Sequence, residues 1–228
     1  THHIMAKHSS SHDWLKTRAW EGNSHIGNRP EQGTYYYDWA RSVSVNGDDV
    51  KHVCEIGMNG GHSALIFLAT LSVWKDSKNT SSSSAKLTMF DLYEFSYSET
   101  VEEYVEMLYP GRFVLYKGPS GETVPEWIIE NKSDKCDIFS VDGDHSYDGA
   151  KNDIMNAARA TKKGGWIILD DMNPEGDTRR AFESVLAEGI LVNKRCVEDV
   201  IVKVGYKDRY DETNARFLSM AWCTAMVP

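Results

Sequence analysis

The chain has 228 residues and a formal net charge of −9, with a sequence pI of about 5.4, which argues against a surface that coats nucleic acid. Hydrophobic residues make up 41% and charged residues 26%, as in a globular domain with a substantial core. No apolar run is long enough to span a membrane, and the start has no apolar stretch of the signal-peptide type. The four cysteines lie far apart in apolar runs, a pattern typical of buried thiols in a reducing compartment, so the predicted location is cytoplasmic.

The beginning of the chain differs from the rest in composition. Residues 1–12 are rich in His and Ser and predict a disordered or tag-like N-terminus, followed by one domain over residues 13–228. Within that domain, residues 13–48 are rich in aromatic side chains and predict a helical cap, with Gly27, Pro30 and Gly33 separating short helices. The cap either covers one end of a sheet or forms part of a substrate pocket, and both alternatives stay open.

Residues 49–228 show strands alternating with helices. The predicted strands cover residues 51–56, 87–90, 112–116, 138–141, 166–169, 197–204 and 217–226. Helical spacing is seen over residues 62–74, 99–108, 124–129 and 179–186, and around Ile154. The last two strands alternate like an antiparallel pair at one edge. The predicted fold class is α/β, a single doubly wound and mostly parallel seven-stranded sheet with an antiparallel C-terminal hairpin strand.

Acidic residues follow two of these strands. The stretch 136–171 is a strand–helix–strand unit, whose crossover makes its two strands parallel. Asp142 and the pair Asp170 and Asp171 should therefore lie side by side at one edge of the sheet, with His145 nearby. Carboxylates gathered in this way repel one another unless a cation or a substrate compensates them. The alternatives are that Asp142 and Asp144 cap the helix that begins near Ser146, and that His145 has a structural role.

A glycine-rich turn follows the first strand, from Gly57 to Gly61. Asn59 and His62 stand where a dinucleotide fingerprint needs glycines, so the fit to NAD is poor, and the pattern E-x-G-x-x-x-G fits better. Asp91 ends the second strand, the position from which an acid binds ribose hydroxyls in this architecture. A plain strand–helix turn is the alternative for the glycines.

The order of the glycine turn, Asp91, Gly118-Pro-Ser120, VDGDHSY and LDD resembles the class I S-adenosylmethionine-dependent methyltransferases, over roughly residues 50–175. It is most similar to the small metal-dependent O-methyltransferases of catechol, caffeoyl-CoA and bacterial sugars and macrolides. The resemblance implies a Rossmann-like methyltransferase fold and S-adenosyl-L-methionine as cofactor. The cofactor-binding residues that it implies are Glu55, Gly57, Gly61, Ser63, Asp91, Ser120 and Asp142.

The same resemblance implies a divalent metal and a base. Asp142, Asp170 and Asp171 would hold Mg²⁺, or another divalent cation such as Ca²⁺ or Mn²⁺, and hard oxygen ligands suit these ions. His145 would be the general base, and the catalytic residues would be His145 and Asp142. The chain departs from several relatives in having histidine where they carry lysine, and aspartate at 171 where they carry asparagine.

The predicted function is the divalent-metal-dependent O-methylation of a small-molecule hydroxyl, in a catechol, a phenol or a sugar diol. The alternatives are a metal-independent methyltransferase and a non-catalytic module that binds S-adenosylmethionine or S-adenosylhomocysteine (SAH). A nicotinamide oxidoreductase is the least supported. The predicted partner is the small-molecule acceptor, without nucleic acid or membrane. The oligomeric state is open, a homodimer included.

Overall fold

The computed structural model describes residues 30–77, 85–204 and 216–228. The predictions for residues 1–12 and for the first part of the cap, residues 13–29, lie outside the described residues. Within the described part, no helix combines the length and the apolar character needed to cross a bilayer.

Six helices and seven strands make up the described part of the chain. The helices are α1 (Pro30–Ser42), α2 (His62–Ser77), α3 (Ser98–Leu108), α4 (Ser120–Glu130), α5 (Tyr147–Ala160) and α6 (Asp177–Ala187). The strands are β1 (His52–Ile56), β2 (Lys86–Asp91), β3 (Phe113–Lys117), β4 (Cys136–Val141), β5 (Thr161–Leu169), β6 (Val192–Val204) and β7 (Arg216–Met226).

The strands form one sheet in the order β3-β2-β1-β4-β5-β7-β6. The first five strands are parallel, and β7 runs antiparallel to both β5 and β6. Chain order reverses direction between β1 and β4, so a crevice opens there at the carboxyl edge. The predicted fold class, a doubly wound and mostly parallel seven-stranded sheet with an antiparallel C-terminal hairpin, is confirmed.

The sheet is covered on both faces, which explains why its central strands are apolar at successive positions. In β1, Val53 packs with α1, α2 and α3, whereas the next residue, Cys54, packs with α4, α5 and α6. Both side chains are at most 1% exposed. Burial on two faces holds the strand ends in place, and the site is built on those ends.

Two local predictions are wrong. Gly33 does not separate two helices, because α1 runs through it from Pro30, a residue favoured at a first helical position. A glycine inside a helix costs about 1 kcal/mol, and the burial of Tyr36 and Tyr37 one turn later offsets that cost. The strand predicted over residues 166–169 begins earlier, at Thr161, so that Gly164 and Gly165 lie within β5, at an irregularity in its pairing with β4.

The prediction of free cysteines is also wrong. Cys54 in β1 and Cys136 in β4 form one disulfide, and Cys196 in β6 and Cys223 in β7 form another. Cys196 and Cys223 are direct partners in the antiparallel ladder. Strand register creates these pairs across 82 and 27 residues, and register is not visible in the spacing of the cysteines.

Candidate active site at the carboxyl edge of the sheet

The predicted site residues lie where the central parallel strands end. The backbone N–H of Asp142 donates to the carbonyl of Ile56 at 3.1 Å, and that of Asp170 donates to Val141 at 3.1 Å. These bonds continue the pairing of β1, β4 and β5 by one residue beyond the strands. The expectation that Asp142 lies beside Asp170 and Asp171 therefore agrees with the sheet register.

Gly57 is required by a close approach of two backbones. Its φ is +94°, a conformation that favours glycine, and a Cβ at this position would lie 2.0 Å from the carbonyl oxygen of Asp142. Gly61, at φ +72°, is restricted in the same way, because its Cβ would lie 2.7 Å from Cγ1 of Val101. The turn after β1 can thus pass close to the end of β4 only with glycine at 57.

Asp91 is held in a fixed orientation at the end of β2. Its Oδ2 accepts a hydrogen bond from the backbone N–H of Met58 at 2.7 Å, and its Oδ1 accepts one from Tyr93 at 2.7 Å. The first bond ties the glycine turn to β2. Each carboxylate oxygen can accept more than one hydrogen bond, so both can also accept bonds from a ligand.

A cavity of about 600 Å³ runs along this edge. Its lining includes four of the predicted cofactor-binding residues, which are Gly57, Asp91, Ser120 and Asp142. His145 and Asp171 also line it, so the predicted ribose acid and the predicted base face one continuous space. The volume is within the range of small-molecule sites in proteins.

The other three predicted cofactor-binding residues, Glu55, Gly61 and Ser63, are buried and do not line the cavity. Glu55 is 1% exposed, and burial raises the pKa of its carboxyl group well above the ordinary value. The hydroxyls of Ser63 and Ser140 hydrogen-bond to this carboxyl group. Its Oε2 has no hydrogen-bond partner among the described residues. The cofactor-binding roles of these three residues stay predictions.

Asp153 is a cavity residue that the sequence analysis missed. It is 2% exposed, and its Oδ1 accepts a hydrogen bond from Oγ of Ser120 at 2.6 Å. The other oxygen, Oδ2, accepts a bond from the backbone N–H of Asp144 at 3.3 Å. Asp153 therefore ties the start of α4 to the loop after β4. The available signal was an acid on the apolar face of α5, beside Ile154 and one turn after Ala150.

Asp142, His145 and Asp171 form a cluster whose potential ligand atoms all lie within 4.8 Å of one another. Nε2 of His145 is 3.2 Å from Oδ2 of Asp171 and 3.8 Å from Oδ1 of Asp142. Asp171 adopts φ +52°, in the left-handed region, which aspartate and asparagine tolerate better than most residues. This tolerance explains how either residue could occupy position 171.

Asp170 is placed differently from its neighbour. It is 5% exposed, and burial together with the charges of Asp142 and Asp171 raises its pKa well above the ordinary value. Its Oδ1 accepts a bond from the backbone N–H of Asp171 at 2.8 Å, and its Oδ2 accepts one from Nε2 of Gln32 at 2.7 Å. Gln32 was missed, since nothing in the cap sequence relates it to a strand 138 residues away.

The donor set fits a divalent cation. Two carboxylates and an imidazole converge within the cluster, and a third carboxylate, that of Asp170, is close enough to raise the pKa of His145. Oxygen-rich sets of this kind suit Mg²⁺, Mn²⁺ or Ca²⁺. Among the described residues, the imidazolium of His145 supplies positive charge to this cluster.

We expect His145 to titrate well above neutral pH in the metal-free protein. The neighbouring carboxylate of Asp142, and the charges of Asp171 and Asp170, raise its pKa from 6.5 to about 9. Its contribution to stability is therefore fully present below pH 6.5 and is lost as the pH rises through about 9. An NMR titration of the ring in the presence of a chelator, assigned with His145→Gln, measures the midpoint. A midpoint near 6.5 would contradict this geometry.

Comparison with known proteins places the chain in a family. A family model described as a methyltransferase domain matches residues 54–172. No curated protein sequence matches the chain.

Several solved structures have a similar fold. One is an O-methyltransferase from Bacillus cereus in complex with SAH. Its sequence is 15% identical to this chain, the match covers 96% of this chain and 90% of that chain, and the TM-score is 0.68. The SAH-bound methyltransferase PaMTH1 from Podospora anserina is 14% identical, with coverages of 97% and 87% and a TM-score of 0.63. CalS11, a TDP-rhamnose 3'-O-methyltransferase of calicheamicin biosynthesis, is 17% identical, with coverages of 93% and 92% and a TM-score of 0.53. At these identities the likeness shows the fold.

Proposed function

The chain belongs to the family of methyltransferase domains, and we propose that it transfers the methyl group of S-adenosyl-L-methionine to a hydroxyl of a small molecule with the help of a divalent cation. One observation carries the proposal. A single cavity extends from Asp91 and Ser120 to Asp142, His145 and Asp171, so that a nucleoside end and an acidic end share one space.

In this proposal the cofactor binds along the glycine turn. Asp91, held by the backbone N–H groups of Met58 and Tyr93, accepts hydrogen bonds from the ribose hydroxyls. Ser120, oriented by Asp153, lies at the adenine end. The methionine part lies toward Gly57. The SAH-bound relatives of the same fold support this choice of cofactor.

Methyl transfer from a sulfonium is an in-line displacement. The acceptor oxygen forms a bond to the methyl carbon while the carbon–sulfur bond breaks, and SAH leaves as the neutral thioether. The protein's main task is to align the acceptor oxygen with the methyl group, a contribution that can be worth about 7–11 kcal/mol. The rigid strand ends at the carboxyl edge provide that alignment.

The acidic end would hold the cation. Asp142, Asp170 and Asp171 are the residues we propose for it, and a bound cation supplies Lewis-acid stabilisation of the ionised acceptor oxygen. Asp170 can keep its hydrogen bond from Asp171 while an unused lone pair of its carboxylate faces a cation.

His145 would accept the proton of the acceptor hydroxyl. In the metal-free protein its pKa of about 9 keeps it protonated at neutral pH. Positive charge placed among the same carboxylates weakens their effect on the imidazole and lowers that pKa. His145 therefore becomes a competent base only in the loaded site, which limits proton abstraction to the complex in which the acceptor is activated.

The acceptor class that suits a cation held by carboxylates is a molecule with two neighbouring oxygens, a catechol or a sugar diol. The named activity of CalS11, which acts on a sugar, is consistent with the second. A single domain over residues 13–228, a cytoplasmic location and a homodimer stay predictions. The two disulfides count against a reducing compartment.

One observation favours a metal-independent alternative. The ion pair between His145 and Asp171, at 3.2 Å, already compensates part of the acidic charge. If catalysis needs no cation, the carboxylates would orient the methyl acceptor and hold His145, and a chelator would not change turnover.

Calorimetric titration with S-adenosyl-L-methionine, followed by methyl-transfer assays with a catechol and a sugar diol, tests the proposal. We expect the cofactor to bind and turnover to require Mg²⁺ and to stop with a chelator. Lack of cofactor binding would overturn the function. Turnover unchanged by the chelator would support the metal-independent alternative, and cofactor binding without any methyl transfer would support the binding module.

A further inference from the structure

Helix α1 brings a buried amide to Asp170, next to the acidic residues that line the cavity. Gln32, in the first turn of α1, is 1% exposed, and its Nε2 donates to Oδ2 of Asp170 at 2.7 Å. Nε2 also lies 3.4 Å from the hydroxyl of Tyr36, one turn further along the helix. Burial, followed by the charges of Asp170, Asp142 and Glu55, raises the pKa of the Tyr36 hydroxyl well above its ordinary value.

The contact fixes the plane of the Asp170 carboxylate. One oxygen is held by the backbone N–H of Asp171 and the other by the amide of Gln32, so neither can rotate without losing a hydrogen bond. A hydrogen bond to a carboxylate is roughly twice as strong as a neutral one. Among the described residues, Gln32 is the side chain from outside the strand ends that sets this orientation.

The amide oxygen of Gln32, Oε1, is a hydrogen-bond acceptor without a donor among the described residues. When Asp170 is ionised, the form that binds a cation, the NH₂ group faces Asp170, because the opposite orientation would place two oxygen atoms against each other. That leaves Oε1 buried, and it has no hydrogen-bond partner among the described residues. A buried acceptor without a partner is destabilising, and a ligand that supplies an O–H group removes that cost.

We propose that Gln32 is a positioning residue of the acidic site, which orients Asp170 toward a divalent cation and accepts an O–H hydrogen bond, through Oε1, from a ligand of that cation. The role rests on the proposed metal-dependent function. The donor is either a water on the cation or a hydroxyl of a diol acceptor. Outer residues that orient metal ligands in this way change metal affinity by about 10–100-fold when they are removed.

The role is tested by titrating the full chain with Mn²⁺ in the absence of cofactor and measuring the bound Mn²⁺ by electron paramagnetic resonance. Gln32→Met keeps the length and volume of the side chain and removes both its donor and its acceptor. We expect the Mn²⁺ affinity to fall by about 10–100-fold. The matched control on the same helix is Tyr36→Phe, which removes a hydroxyl near the same carboxylates and leaves the Asp170 contact intact. The Mn²⁺ affinity of the Tyr36→Phe protein should stay within about threefold of the wild type.

A second arm identifies the O–H donor. Catechol is titrated onto the Mn²⁺-loaded wild type and the Mn²⁺-loaded Gln32→Met protein. If a catechol hydroxyl donates the hydrogen bond to Oε1, the variant should bind catechol more weakly than the wild type does. If a water on the cation donates it, the two proteins should bind catechol equally. Binding of SAH at wild-type affinity verifies the fold of each variant. If Gln32→Met does not fold, Gln32→Asn, whose shorter amide cannot reach Asp170, replaces it.

The outcomes separate this role from the function beneath it. Mn²⁺ binding by the wild type with equal binding by Gln32→Met would overturn the role of Gln32 and leave the metal-dependent function standing. An equal loss in Gln32→Met and Tyr36→Phe would assign the effect to the packing of α1 and overturn the role too. Absence of Mn²⁺ binding by the wild type would overturn both.

Discussion

Replacing Gly57 by alanine should both destabilise the protein and weaken cofactor binding. The new Cβ would lie 2.0 Å from the carbonyl oxygen of Asp142, and the residue would also have to keep φ +94°. The end of β1 must therefore move away from the end of β4, at a cost of about 3 kcal/mol in the free energy of unfolding. The movement displaces Met58 from Asp91, so the affinity for S-adenosyl-L-methionine should fall at least about tenfold.

Gly47→Ala is the matched control for this substitution. Gly47 has a similar φ of +85°, but nothing lies within 4 Å of the position its Cβ would occupy. This variant should lose only the conformational cost, about 1 kcal/mol, and bind the cofactor normally. Chemical denaturation and calorimetry measure the two quantities. Equal losses in both variants would show that the approach of Gly57 to Asp142 is not what requires the glycine.

Replacing Asp142 by asparagine should abolish most of the methyl transfer and leave the fold intact. The side chain is 39% exposed, so the amide fits without a packing cost, but one of the charges that the proposed cation needs is gone. We expect the turnover number to fall at least about 100-fold and the Mn²⁺ affinity to fall by a similar factor. The assays are methyl transfer at saturating cofactor and metal titration.

The same substitution has a second readout that needs no cation. The neighbouring carboxylate of Asp142 is the largest of the influences that raise the pKa of His145 to about 9, so the pKa of His145 in Asp142→Asn should move down toward 6.5. Asp148→Asn is the control, because Asp148 is exposed in the first turn of α5 and its substitution makes the same change in charge. Turnover of Asp142→Asn within tenfold of the wild type would refute a central role for this carboxylate.

The order of strands and helices could be read from the sequence because each element has its own local pattern. Short apolar runs bounded by glycine or acidic residues marked the parallel strands, and all seven expected strands are present. Errors occurred where tertiary packing overrode a local signal. Gly33 lies inside α1 because the burial of Tyr36 and Tyr37 offsets the glycine, and Gly164 lies inside β5, where it is paired with the last residues of the chain.

Part of the candidate site could be predicted for a topological reason. Residues that follow parallel strands meet at one edge whatever the length of the helices between them, so Asp91, Asp142 and Asp170 could be assigned to that edge from their positions alone. Asp153 could have been found as an acid on an apolar helix face.

The sequence by itself determined the α/β class, the parallel core and the concentration of acids at its carboxyl edge, because these follow from local periodicity and from the direction of βαβ crossovers. Only the tertiary structure decided the cysteine pairs, the burial of Glu55 and Asp170, and the contact between Gln32 and Asp170. Each of these depends on strand register or on how a helix packs against the sheet. Such relations join residues far apart in the chain, so they leave no local pattern at either residue.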